Sequence, residues 1–265
     1  MYPSVEFLGR TIPTYGIMAA AGMICGLLFV ILSARRYKLD IENAAYIYTF
    51  GFLGCGVGAK LLYIIVTLDT IVSDIRTYGA LTAVIAHIQG GMVFYGGLLG
   101  AIGAAYLTAR YLKLDLREYY PSLVPGIAIM AGMGRIGCHL TGCCYGAHTD
   151  SHFAVVYPEG GIAPSGVPLI PVQLYEAAFE FLMVIVLVVI SRLKPGLRPR
   201  LLSLYCTAYA VFRFCLEFFR ADENRGIFGP FSTSQWISLL IIASIAVNEV
   251  LNHRRKAGKM PPAMV

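Results

Sequence analysis

Seven apolar runs alternate with short polar segments along the 265 residues. They cover Tyr15 to Leu32, Ala44 to Val66, Gly90 to Tyr111, Pro121 to Leu140, Pro171 to Ile190, Leu201 to Phe219 and Gln235 to Leu251. Roughly 20 apolar residues in a helix span a bilayer core. The pattern therefore predicts an all-α integral membrane protein with seven transmembrane helices, residues 1–265 forming a single polytopic membrane domain. Two longer stretches interrupt it. Residues 68–89 are amphipathic and broken, with Asp69, Asp74, Arg76, His87 and Gln89. Residues 141–170 are rich in Gly and Pro, with a short strand expected over Phe153 to Tyr157. Both are expected to face the outside as small head or arm segments.

Composition sharpens this reading. Hydrophobic residues make up 57% and charged residues 14%, and the mean hydropathy is +0.69, which rules out an ordinary soluble domain. The net charge of +6 lies mostly in short loops, so it leaves no basic, aromatic-rich surface for nucleic acid. Orientation follows from those loops. With the N-terminus outside and the C-terminus cytoplasmic, inside loops hold 14 of the 21 Lys and Arg residues. Outside segments hold Arg10, Arg76, Arg220 and Arg225, while Lys60, Arg135 and Arg213 are intramembrane. One span more or fewer destroys this asymmetry. The first span carries its positive charges after the apolar run, the reverse of a cleaved signal peptide, so it is expected to remain as an anchor.

Charged residues inside a membrane are functional candidates. Six are expected here: Lys60, Arg135, Glu176, Glu180, Arg213 and Glu217. Arg135 sits in the stretch Met133–Gly146, among Gly134, Gly137, Gly142 and Gly146. Glycines permit close approach of a backbone or ligand, and a guanidinium fork binds phosphate bidentately. Tyr209, Arg213 and Glu217 are four apart, which places them on one helix face; Gln173, Glu176 and Glu180 share a face of the preceding span. Both faces and Arg135 fall in the outer halves of their spans. Two arginines at that depth suit an anionic phospholipid headgroup, although a purely structural set of interhelical ion pairs satisfies the same balance of signs. His87, His139 and His148 lie near the outer surface and are each candidate bases. Cys138, His139, Cys143 and Cys144 form a local group, but structural zinc calls for two ligand pairs and no second pair is evident. No metal is expected.

Several segments together resemble the prolipoprotein diacylglyceryl transferase family of bacterial inner membranes. They are Tyr15-Gly16, the run Gly90 to Gly100, Gly134-Arg135-Ile136-Gly137 with Gly146, Pro171 to Ala177, Arg213 to Arg220, and Ser234-Gln235-Trp236. The resemblance covers nearly the whole chain in order. It implies transfer of a diacylglyceryl group from phosphatidylglycerol to the lipobox cysteine of a prolipoprotein signal peptide, with release of glycerol phosphate. It also implies an active site toward the periplasmic or outer face and no cofactor. By resemblance Arg135 and Arg213 hold the phosphate, Glu217 and Tyr209 orient Arg213, and Gln173 and Glu176 support the site. Tyr15, Gly97, Gly134, Gly137 and Gly146 are further substrate-binding candidates, and Tyr95 is a catalytic candidate. Two departures stand out. The family often has Asn at the position of Cys138, and His at the position of Tyr95, which leaves the general base open. A paralogue moving another lipid group, and a non-catalytic lipid-binding or transport protein, therefore remain competing readings.

Overall fold

The computed structural model of the protein describes residues 4–7, 10–159, 162–221 and 226–257. Arg225 and Lys259, both counted in the loop charges, lie outside the described residues. The chain opens with a hairpin, β1 (Ser4–Phe7) and β2 (Arg10–Pro13), then runs through α1 (Thr14–Arg36), α2 (Ile41–Val66), α3 (Leu68–Tyr78), α4 (Ala80–Gln89), α5 (Phe94–Tyr111) and α6 (Leu116–Thr141). After β3 (Val155–Val156) and β4 (Pro168–Leu169) come α7 (Val172–Leu193), α8 (Leu201–Leu216), β5 (Ile227–Phe228), β6 (Phe231–Ser232) and α9 (Thr233–Ala257). Short 3-10 turns, Pro195–Arg200 and Glu217–Phe219, flank α8. The named strands form three two-stranded antiparallel pairs.

Six of these helical stretches are long and apolar enough to cross a membrane: α1, α2, α6, α7, Pro195–Phe219 around α8, and Thr233–Leu251 of α9. The 23 residues of α1 rise about 35 Å at 1.5 Å per residue. The expected third span differs. Helix starts at Phe94 rather than Gly90, giving an α5 of 18 residues that includes four glycines and Arg110, and it is not among the six. The cause is local. Gly91 sits at φ 52°, and the carbonyls of Gly90 and Gly91 turn aside to accept hydrogen bonds from Lys60 Nζ.

Contacts divide the chain into two compact units, one of residues 27–123 and one of residues 1–26 with 124–265. In the first, α2 and α5 pack backbone to backbone. A Cβ on Gly58 would overlap the Gly96 carbonyl, and one on Gly100 would overlap that of Gly54. Small residues four apart let helices approach this closely where no hydrophobic effect drives them together. Val30, Ala34, Ile47, Tyr48, Ala109 and Leu123 form the adjoining core. The expected break in residues 68–89 falls at Gly79, whose φ of 85° separates α3 from α4. Lys60 Nζ also reaches the His87 carbonyl at 3.0 Å, so its charge lies at the carbonyl end of α4, where the helix dipole favours a cation. His87 bridges Tyr63 Oη and Asp74 Oδ2, each at 2.9 Å.

The second unit shows the polarity expected in lipid. On α7, Glu176 and Glu180 are buried, at 2% and 1% exposure, whereas Ile185 is 62% and Leu182 55% exposed. A helix that hides carboxylates and exposes aliphatics matches a surround that is apolar and an interior that supplies polar partners. On the α1 side, a Cβ at Gly22 would lie 2.9 Å from Met133 Cβ, so the first half of α1 packs closely on α6.

Candidate active site

Within the second unit the polar residues of α6, α7, α8 and α9 meet near one end of each helix. Arg135 lies in the last two turns of α6, Arg213 in the last turn of α8, Glu176 near the start of α7 and Ser234 at the start of α9. Glu176 is the hub. Its Oε1 lies 3.0 Å from Arg135 Nη2 and accepts a 2.7 Å hydrogen bond from Tyr209 Oη. Its Oε2 lies 3.5 Å from Arg213 Nη1. A buried carboxylate is costly unless paired and hydrogen-bonded, and here two guanidiniums and a phenol do both.

The two arginines are held differently. Arg213 Nη2 lies 2.8 Å from Glu217 Oε2 and 3.3 Å from Ser234 Oγ. The i,i+4 spacing of Arg213 and Glu217 on α8 makes the first contact nearly automatic. Glu217 also faces Arg220 Nη1 at 3.9 Å. Arg135 is more open, with 21% of its side chain exposed against 9% for Arg213. Among the described residues Glu176 is the carboxylate within ion-pair reach of Arg135. Two cations side by side, one rigidly braced and one with exposed surface, can receive an anion with several oxygens.

A belt of hydrogen bonds ties residues 141–170 to this helix cluster. Gln173 Nε2 donates to the Cys143 carbonyl at 2.6 Å, and Tyr157 Oη donates to Gln173 Oε1 at 3.3 Å. Burial pushes the Tyr157 phenol above its usual pKa, which keeps it a donor. Gly146 N–H donates to the Ile170 carbonyl at 3.1 Å, and Ala147 N–H to that of Phe219 at 2.8 Å. A Cβ on Gly146 would meet the Ile170 oxygen at 2.5 Å. The strand expected over 153–157 is present as Val155–Val156, paired with Pro168–Leu169.

The family model of prolipoprotein diacylglyceryl transferase matches residues 4–249. The chain belongs to the prolipoprotein diacylglyceryl transferase family. It is 36% identical over 241 residues to the phosphatidylglycerol–prolipoprotein diacylglyceryl transferase 2 of Clostridium perfringens, covering 89% of this chain and 90% of that one. It is 35% identical over 255 residues to the corresponding Clostridium tetani transferase, covering 95% and 98%. With the Geobacter sulfurreducens transferase it shares 33% over 251 residues, 92% of each chain. The resemblance drawn from the ordered motifs is thus borne out.

The transferase-family motifs do not all converge in the same way. Arg135, Glu176, Tyr209, Arg213 and Glu217 form one connected network, and Gln173 joins the belt beside it. Gly134 faces open space, with nothing near the position of a Cβ. Gly137 is a packing residue: a Cβ there would lie 3.1 Å from Met18 and 3.2 Å from the Tyr15 ring. Tyr15, at the start of α1, is 47% exposed. Tyr95 and Gly97 belong to the first unit. Gly97 is buried against Cys55 and Ala59 of α2, whereas Tyr95 opens α5 with its ring edge-on to Phe94 at 5.5 Å. Glu180 is paired by Tyr205 Oη at 2.9 Å. Sequence reasoning missed Tyr205, although it continues the four-residue spacing of Tyr209, Arg213 and Glu217. It also missed Tyr157, for which no local signal exists. Of the histidines, His139 contacts the Tyr157 hydroxyl at 3.4 Å and His87 has both ring nitrogens engaged.

Proposed function

We propose that this membrane protein transfers the diacylglyceryl group of phosphatidylglycerol to the lipobox cysteine thiol of a prolipoprotein. The observation that carries the reading is the Arg135–Glu176–Arg213 arrangement in a chain of this transferase family. In the reaction the thiolate sulfur forms a bond to the glyceryl carbon. The carbon–oxygen bond to phosphate breaks, its electron pair stays on the phosphate oxygen, and glycerol phosphate leaves. Negative charge thus localises on the phosphate as the bond breaks. Fixed guanidiniums in a water-poor site stabilise that charge without reorganising. Arg135, with exposed surface, receives the phosphate. Arg213, braced by Glu217 and Ser234, holds the second side, and Tyr209 fixes Glu176 between them. Tyr15, Gly134, Gly146 and Gln173 of the second unit shape the approach, with Gly137 seating Tyr15 on α6. A free thiol of pKa about 8.5 is mostly protonated at neutral pH, so a base assists.

The protein acts as one polytopic domain of the bacterial inner membrane. Its N-terminus is outside, its C-terminus cytoplasmic, and residues 68–89 and 141–170 face outward. The glycine seam between α2 and α5 supports counting α5 as the seventh span. Tyr95, where the family often has His, keeps a second reading in play, a paralogue moving another lipid group.

Purified protein, phosphatidylglycerol and a lipobox peptide decide between them. The proposal expects glycerol phosphate and diacylglyceryl peptide in equal amounts. Folded protein that yields neither, but consumes another phospholipid, establishes the paralogue instead.

A further inference from the structure

The C-terminal end of α6 carries a second cluster, made of three thiols. Gly142, at φ 73°, ends the helix. Its N–H donates to the His139 carbonyl at 3.2 Å, and the Cys143 N–H donates to the Cys138 carbonyl at 3.1 Å. These are the paired bonds of a Schellman cap, which folds the residue after the glycine back onto the last helical turn. The residues so apposed are Cys143 and Cys138. Cys144 follows at φ 58°, a left-handed conformation that only a few per cent of non-glycine residues adopt, and its thiol joins the other two. The three Sγ atoms lie within 4.8 Å of one another. Cys138 is buried and its partners are half-buried, and all three are free thiols.

We propose that Cys138, Cys143 and Cys144 form a three-thiolate site for a thiophilic divalent metal ion, Zn2+ above all. Zinc–sulfur bonds of about 2.3 Å in a tetrahedron set sulfurs about 3.8 Å apart, so the observed cluster closes around Zn2+ with shifts of about 1 Å or less. Soft thiolate ligands select zinc over hard cations such as Mg2+ and Ca2+. Each thiol releases its proton to solvent as its sulfur binds, and three thiolates with Zn2+ carry one net negative charge. Arg135, one turn before Cys138 on α6, and Arg220, whose backbone bridges Gly146, supply positive charge on this side of the helix end. The helix cap builds the site without the metal, so little ordering opposes binding. The spacing rule that argued against zinc asks for two ligand pairs. It does not apply where a single cap gathers three ligands and leaves the fourth position open. Occupancy would fix the segment that Gln173 holds through the Cys143 carbonyl.

The test uses full-length protein in detergent, reduced and stripped with a chelator. Titration with Zn2+ against a chromophoric competitor should show one ion per chain, and zinc-edge X-ray absorption should show three sulfurs at about 2.3 Å. Cys143→Ser and Cys144→Ser should each weaken binding at least tenfold, with Cys25→Ser unchanged. In the unmutated protein Zn2+ should slow alkylation of Cys143 and Cys144 while the exposed Cys25 and Cys215 react as before, a readout independent of how the variants fold. A shell of nitrogen and oxygen only, affinity unchanged in both variants, or alkylation of Cys143 and Cys144 unaffected by Zn2+ overturns the proposal.

Discussion

Arg135 Nη2 and Glu176 Oε1 stand 3.0 Å apart across two helices, and the same carboxylate carries Arg213 on its other oxygen. One buried anion therefore holds two cations together. A phosphate entering beside them meets guanidiniums already aimed. Glu176→Gln keeps the shape and removes the charge. Breaking a buried pair costs about 3–5 kcal/mol because the partners are left uncompensated. Thermal unfolding in detergent should show that loss. Added phosphatidylglycerol should recover more of it in Glu176→Gln than it adds to wild type, since the lipid phosphate replaces the missing charge. Equal lipid shifts in the two proteins would remove the arginines from the lipid site.

Arg135 and Arg213 should part company when each is changed to lysine. Lysine keeps the charge and loses the planar fork. Arg135→Lys should lower turnover about a hundredfold, the scale of one transition-state donor, with little change in melting temperature. Arg213→Lys should lower both, because Arg213 also bridges Glu217 and Ser234. Near-normal turnover in folded Arg135→Lys would leave that residue a structural role only.

Tyr95 tests what the position requires. A phenol is a poor base at neutral pH. If its hydroxyl orients the lipid by a hydrogen bond, Tyr95→His retains activity and Tyr95→Phe loses about tenfold, equivalent to about 1.4 kcal/mol. The pH–rate profile of Tyr95→Phe should keep its acidic limb. Equal rates for wild type and Tyr95→Phe would make Tyr95 a packing residue.

The α2–α5 seam predicts a contrast between glycines of one helix. Gly100→Leu drives a side chain into the Gly54 carbonyl, and overpacking of this kind costs about 1–3 kcal/mol or more. Gly103 has nothing near its Cβ position, so Gly103→Ala should stay within about 1 kcal/mol of wild type. Expression level and melting temperature read both. Equal tolerance of the two changes would contradict the close packing.

Orientation is open to reporter fusions. Fusions after Arg36, Arg117, Arg200 and Lys256 should report cytoplasm, and one near Asp150 should report the outside. A cytoplasmic signal near Asp150 would overturn the seven-span topology and the outward active face together.

The sequence by itself determined the helices and their polar faces, because run length and three-to-four-residue spacing are properties of the chain alone. The runs of α1, α2, α6 and α7, the presence of a break within residues 68–89 and the shared face of Tyr209, Arg213 and Glu217 are legible from neighbours within a few turns. Tertiary structure decided which groups meet across helices. Nothing local says that Glu176 rather than Glu180 takes Arg135, that Lys60 spends its charge on the carbonyls ending α4, or that Gly137 is filled by α1 rather than left open like Gly134. The shortened start of α5 has the same origin, since the Gly90 and Gly91 carbonyls turn to a lysine 30 and 31 residues earlier. Polar groups in an apolar surround must find partners wherever the packing brings them, and periodicity along one segment carries no record of what lies on the next.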